Sequence, residues 1–389
     1  MKTIYAIATL SGTIIGAGLF ALPYITLQVG FWVILAYFLI LGGFVILIHL
    51  FFAELSLKTP DFKRTPGFAK IYLGKWGKTA SYVSIILGIF GALLAYLILG
   101  GTFFSELTEL VLPNFEGNTL IFTLFYFIIG SAFIFHGIKA IEKVQFWGLI
   151  LFLVILFAIF FKGAPFINID NLFTTKWPSA DGHWSNLFLP YGVILFSLWG
   201  AALIPEVEEM LGKQKTKLLK IIPIAILIPA IIYLSFIFFV LGITGDQTTK
   251  DALSGLGAVL GDGVVALALL FGLVTTFTSF VALGLTLKKV FWYDFKIPKK
   301  TAWAITCFLP LILYLVGFKD FIIVIGVIGG IMLAIDGILI LLMYRKIRPD
   351  RILIIVPLIL VLLGGIFYIL LPLILALWSR IIYLITYLA

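Results

Sequence analysis

The sequence predicts an all-α membrane protein of eleven spanning helices, built as a 5+5 inverted repeat with broken helices 1 and 6 and one extra C-terminal helix. Three observations carry that prediction. The 389 residues are 62% hydrophobic and 12% charged, a balance from which no soluble domain is built. The apolar residues come in runs long enough to cross hydrocarbon, about 20 residues each. Two of these runs, in corresponding positions of the two halves, are interrupted by glycine and proline. Residues 1–389 are therefore expected to form a single transmembrane domain, with repeat one at about 3–162, repeat two at about 186–344, and an extra helix and tail at 350–389.

Taken in order, the spans lie near 3–28, 31–56, 77–105, 119–136, 144–162, 186–211, 218–242, 263–289, 301–317, 320–344 and 352–375. The first is too long for a signal-peptide core and lacks a small-residue cleavage site, so it is read as a retained helix. The last sixteen residues, with Trp378, Arg380, Tyr383 and Tyr387, either prolong the last helix or lie in the interface. The 38 phenylalanines and nine tryptophans suit lipid-facing surfaces and interfacial belts.

Charge sets the orientation. The net charge of +9 comes from short basic clusters between the runs, including Lys139 with Lys143, Lys213 with Lys215, and Arg345 with Lys346. That is the positive-inside pattern and not a nucleic-acid surface. With these spans, 22 of the 27 basic residues fall on one side, and only Lys162, Lys176, Lys250, Lys319 and Arg380 on the other. The amino terminus is thus expected in the cytoplasm and the carboxyl terminus outside, in a monomer of the plasma membrane surrounded by lipid.

The first run contains Gly12, Gly16, Gly18 and Pro23. A spanning helix should avoid them, because glycine costs about 1 kcal/mol against alanine and proline about 3 kcal/mol. In lipid, broken backbone is tolerated only where protein or a water-filled cavity satisfies the freed N–H and C=O groups. The sixth run repeats the feature, with Gly200 at mid-span and Pro205 five residues on. Five spans per block give the two blocks opposite orientations, and paired interruptions point to a substrate site between them.

With both breaks placed, the chain resembles the amino acid–polyamine–organocation transporter superfamily, which has the leucine-transporter fold. Residues 12–23, Gly-Thr-Ile-Ile-Gly-Ala-Gly-Leu-Phe-Ala-Leu-Pro, look most like the aromatic amino acid permease and amino acid/auxin permease branches, which include sodium-coupled neutral amino acid transporters. Residues 95–101 and 278–280 are supporting matches. The resemblance implies that the N–H groups of Gly16, Ala17 and Gly18 open a half-helix whose dipole favours a substrate carboxylate. The carbonyls of Thr13, Ile14 and Ile15 would accept from the ammonium. Phe196, Ser197, Trp199 and Gly200 would form the second wall, and Tyr96 would close over the carboxylate. An ordinary packing role is the alternative for each ring, and Gly12-x-x-x-Gly16 is also a helix-association pattern.

Thr275, Thr278 and Ser279 fall within five positions of span eight. Such hydroxyls often bond their own helix. The resemblance implies that they complete a sodium site with the carbonyls of Gly12 and Ile15. In proton-coupled relatives a lysine in helix 5 replaces the ion, and residues 146–161 contain none. Sodium is therefore the expected coupling ion, with no further cofactor.

Asp336 is the carboxylate embedded in the most apolar run, so it must be paired, protonated or water-lined. Pairing with a basic residue of the cytoplasmic side is the first expectation, and a proton route the second. Glu54 and Glu206 sit near cytoplasmic helix ends, where gate or structural ion pairs form. His49, His136 and His183 are too scattered for a metal site, Cys307 excludes an internal disulfide, and no nucleophile motif is present. The expected activity is therefore not enzymatic but sodium-coupled symport of a neutral L-amino acid by alternating access. A proton-coupled aromatic amino acid permease and a non-transporting amino acid sensor are the alternatives.

Overall fold

A computed structural model describes residues 2–59, 64–112, 118–137, 141–173 and 184–388. Lys139, Lys176 and His183 lie outside these residues, as do the side chains of Lys143, Trp378, Arg380, Tyr383 and Tyr387. All regular structure among the described residues is helical. Eight helices are long and apolar enough to cross a membrane, and nine with one bent pair, among the described residues.

The first run divides into α1 (Lys2–Ile14) and α2 (Gly18–Val29), bent by 55°. Next come α3 (Phe31–Lys58), α4 (Thr65–Val111), α5 (Thr119–His136) and α6 (Ile141–Gly163). Gly74, at φ +75°, kinks α4 between a short arm over residues 65–73 and the long apolar segment. That kink explains why the sequence places the span's start later than the helix's start. The sixth run divides into α7 (Leu189–Leu198) and α8 (Ile204–Leu211), followed by α9 (Leu218–Thr244), α10 (Gly257–Leu260) and α11 (Asp262–Lys289). The chain continues through α12 (Lys299–Val316), then α13 (Phe321–Val327) and α14 (Ala334–Ile347), which are joined by one π-helical turn, to α15 (Ile352–Leu388).

Packing sorts these helices into two groups. α1 and α2 pack on α9, α2 and α3 on α7, and α3 on α9, while α4, α5, α11 and α12 pack among themselves. α13 and α14 touch both groups. α2 has almost no exposed residue, which is why it is apolar all round and not amphipathic. In the second group the buried Lys288 of α11 donates to the carbonyls of Ile134 and Phe135 at 2.6 and 2.9 Å, tying α11 to the end of α5. A cation at a helix carboxyl end is favourable against the dipole, and here it also supplies donors to orphan carbonyls.

Candidate functional site

The site is built from the two breaks. In the first run, the Ile15 N–H still bonds the Ser11 carbonyl at 3.0 Å, and beyond the gap Leu19 and Phe20 reach only three residues back, to Gly16 and Ala17. Some of the groups released between are met by side chains from distant helices. The Tyr233 hydroxyl donates to the Ile14 carbonyl at 2.7 Å and is bonded by the Gly16 backbone. The Tyr96 hydroxyl is bonded to the Ala17 backbone and to Ser279 of α11. Both tyrosines are buried.

In the sixth run, α7 stops at Leu198, Trp199 is extended, and a 3-10 turn over Ala201–Leu203 leads into α8. Pro205 lies in the first turn of α8, where its missing N–H costs nothing. The Ser197 carbonyl, left without its helical partner, accepts from the same Tyr233 hydroxyl at 3.0 Å. The Gly200 N–H donates to His49 Nε2 at 2.9 Å, and His49 Nδ1 lies 2.8 Å from the Val45 carbonyl. Accepting at Nε2 requires the neutral ring with its hydrogen on Nδ1, and the Val45 carbonyl holds that tautomer.

The two breaks face each other at contact distance. A β-carbon on Gly18 would overlap the Ser197 side chain, so glycine there permits the close approach of α2 to α7. A β-carbon on Gly16 would lie 2.9 Å from the Tyr96 hydroxyl, and one on Gly200 would lie 2.9 Å from Ile14. Gly16, Ala17, Gly18, Tyr96, Ser197, Gly200 and the Ile14 carbonyl are thus brought together. Thr13 lies on the exposed face of α1, its hydroxyl bonded to Thr9. Phe196 is half-buried on α7, and the Trp199 indole packs against His49 with ring centroids 5.1 Å apart.

Gly12 and Ile15 bracket the end of α1, and Thr275, Thr278 and Ser279 occupy one half-buried stretch of α11. The Thr278 hydroxyl donates to the Thr275 carbonyl at 3.0 Å, so its oxygen keeps lone pairs for a cation. Among the described residues no cluster of histidine, cysteine and carboxylate side chains fit to hold a metal is found.

Asp336 departs from its first expectation. Its Oδ2 accepts from Trp199 Nε1 at 3.2 Å and its Oδ1 has no hydrogen-bond partner among the described residues. Basic residues at the ends of α14 and α3 are held by Glu54, which binds Arg348 at 3.0 Å, Lys58 at 2.8 Å and the Tyr344 hydroxyl at 2.6 Å. Geometry explains the difference, since Arg348 lies beyond the end of α14, about three turns from Asp336. Glu206 pairs with Arg64 at 3.5 Å at this same basic end. At the opposite end, Lys250 meets Asp320 at 2.5 Å, and that carboxylate raises the pKa of the ammonium.

His49 and Tyr233 were not legible as site residues. Each is a single polar group in an apolar helix, and the signal available was the one that singles out Tyr96: a hydrogen-bonding ring at mid-span needs a partner.

Comparison with known proteins agrees with this architecture. The profile of the tryptophan/tyrosine permease family matches residues 1–379. The chain belongs to that family. It is 28% identical over 305 residues to the tyrosine-specific transport system 1 of Haemophilus influenzae, covering 74% of this chain and 72% of that one. It is 25% identical over 260 residues to the low affinity tryptophan permease of Escherichia coli, covering 66% of this chain and 61% of that permease. Among solved structures, this tryptophan/tyrosine permease family member resembles Mhp1, a nucleobase–cation symporter, in a closed conformation with bromovinylhydantoin bound. The TM-score is 0.62 at 15% identity, covering 90% of this chain and 79% of that one. It also resembles MhsT in complex with L-phenylalanine, with a TM-score of 0.58 at 16% identity, covering 94% and 98%. These likenesses identify a helical transporter fold of the leucine-transporter kind and an integral membrane amino acid transporter.

Proposed function

We propose that this protein is a secondary active transporter that takes up an aromatic L-amino acid, tyrosine or tryptophan, by alternating access. The observation that carries the reading is the meeting of two helix breaks, where Gly18 lies against Ser197 and backbone amides and carbonyls converge. The Gly16–Gly18 amides would hold the carboxylate and the Ile14 and Ser197 carbonyls the ammonium. The aromatic class follows the names of the relatives. The reading includes eleven spans in a 5+5 inverted repeat, an amino terminus in the cytoplasm and a carboxyl terminus outside. The group of α1, α2, α3, α7 and α9 would rock against the group of α4, α5, α11 and α12.

Sodium is the proposed coupling ion, as cargo bound by the Gly12 and Ile15 carbonyls and the oxygens of Thr275, Thr278 and Ser279. Sharing the α1 terminus couples the two cargoes, because a cation there orders backbone that the amino acid needs. A second reading, proton coupling, is favoured by the buried Asp336 carboxylate, whose Oδ1 has no hydrogen-bond partner among the described residues.

Purified protein in proteoliposomes tests both readings. Radiolabelled tyrosine and tryptophan are expected to show counterflow, and its absence with every amino acid would leave a sensor. Uptake in sodium against choline, with and without an imposed pH gradient, assigns the ion. Thr278→Ala with Ser279→Ala should abolish sodium stimulation, and undiminished stimulation sinks the sodium site. Asp336→Asn should abolish accumulation driven by pH only under the second reading.

A further inference from the structure

The Tyr233 hydroxyl occupies the point on which both breaks converge. It lies 2.7 Å from the Ile14 carbonyl oxygen, 3.0 Å from the Ser197 carbonyl oxygen, and is bonded by the Gly16 backbone. Its helix, α9, packs against α1 and α2, so the ring reaches the gap from a neighbouring helix of the same group. Tyr233 is fully buried, with Phe38 beside its ring.

These two carbonyls are the acceptors that an amino acid's ammonium needs. Both oxygens lie within 3.0 Å of the hydroxyl oxygen, so a substrate ammonium placed to bond the pair takes the position of the phenol oxygen. We propose that Tyr233 is a tethered stand-in for the substrate's ammonium: hydroxyl and ammonium alternate at the Ile14–Ser197 carbonyl pair as the carrier unloads and loads. This inference rests on the reading that the breaks bind an amino acid.

The consequence is kinetic. Net uptake requires the carrier to return without substrate, and on that return the two buried carbonyls must pass through an occluded state without the ammonium. Unsatisfied buried acceptors disfavour such a state. The Tyr233 hydroxyl supplies the missing donor, and so speeds the return. Exchange of one substrate molecule for another never passes through the unloaded occluded form, and depends less on the hydroxyl. Tyr233 is therefore a positioning residue that separates net uptake from exchange.

Tyr233→Phe tests the proposal, because it removes one oxygen and keeps the ring. Wild-type and variant proteoliposomes are compared for net uptake of radiolabelled tyrosine into tyrosine-free vesicles and for counterflow into tyrosine-loaded vesicles under the same ion gradients. The ratio of net uptake to counterflow is expected to fall at least tenfold in the variant, equivalent to about 1.4 kcal/mol. Equilibrium binding of tyrosine in detergent should tighten severalfold, since no hydroxyl has to be displaced. An unchanged ratio, or an equal loss in both assays with weaker binding, makes Tyr233 a static pin and overturns the proposal. Absence of counterflow in the wild type overturns the transport reading instead.

Discussion

The two helix breaks solve one problem in different ways. At the first, released amides and a carbonyl are met by phenols, Tyr96 and Tyr233, whose hydroxyls both donate and accept. At the second, the Gly200 amide is met by a neutral imidazole nitrogen, an acceptor held in place by its own bond to Val45. A hydroxyl can rotate and trade partners, whereas the His49 ring has one tautomer and one geometry that fit. The first break is thus built to exchange its hydrogen bonds, and the second is anchored on one side while its Ser197 carbonyl stays exchangeable. The chain carries two interruptions, and unlike partners give them unlike hydrogen bonding.

Substitutions break or sharpen this comparison. The largest effect is expected at the contact between the breaks: Gly18→Leu drives a side chain into Ser197 and should abolish tyrosine counterflow, which is read directly in proteoliposomes. Next comes the anchored break. His49→Ala leaves the buried Gly200 N–H without its acceptor and opens a cavity, at about 3 kcal/mol, which a loss of thermal stability in detergent would register. Tyr96→Phe takes one acceptor from the Ala17 backbone and one partner from Ser279, and should destabilise by about 1 kcal/mol while weakening tyrosine binding. If the first break is the exchangeable one, its loss will appear more in binding than in melting, the reverse of His49→Ala. Smallest is Glu54→Gln, which touches neither break, at under about 1 kcal/mol in melting because its partners are partly solvated.

How much of this was legible in the sequence follows from the kind of signal each feature leaves. Most helix bounds are close to expectation, since apolar runs and breakers mark them, whereas α4 begins well before its expected span and α15 ends well after its own. The first break is written locally, in Gly12, Gly16, Gly18 and Pro23, and α1 and α2 separate there. The reason for Gly18 was not local. Its neighbour is Ser197, nearly half the chain away, and only folding brings the two together. Tyr233 and His49 were passed over for the same reason: each satisfies a backbone group in another helix, and a single polar residue in an apolar run does not name its partner. Asp336 was recognised as exceptional, but its partner was expected among cations and is an indole, because Glu54 already holds Arg348.

The Glu54 cluster links α3, of the group that packs around the breaks, to α14, which touches both groups. Lys58 and Arg348 are both partly exposed, at 43% and 41% of their side chains, so dissolved ions reach the link. The proposed rocking of α3 against α14 would stretch it, and added electrolyte weakens such pairs over a screening length of about 8 Å at 0.15 M. Under that reading turnover is expected to carry an ionic-strength dependence that originates in the mechanics of a clasp and not in recognition, which rates of tyrosine counterflow at increasing salt would register.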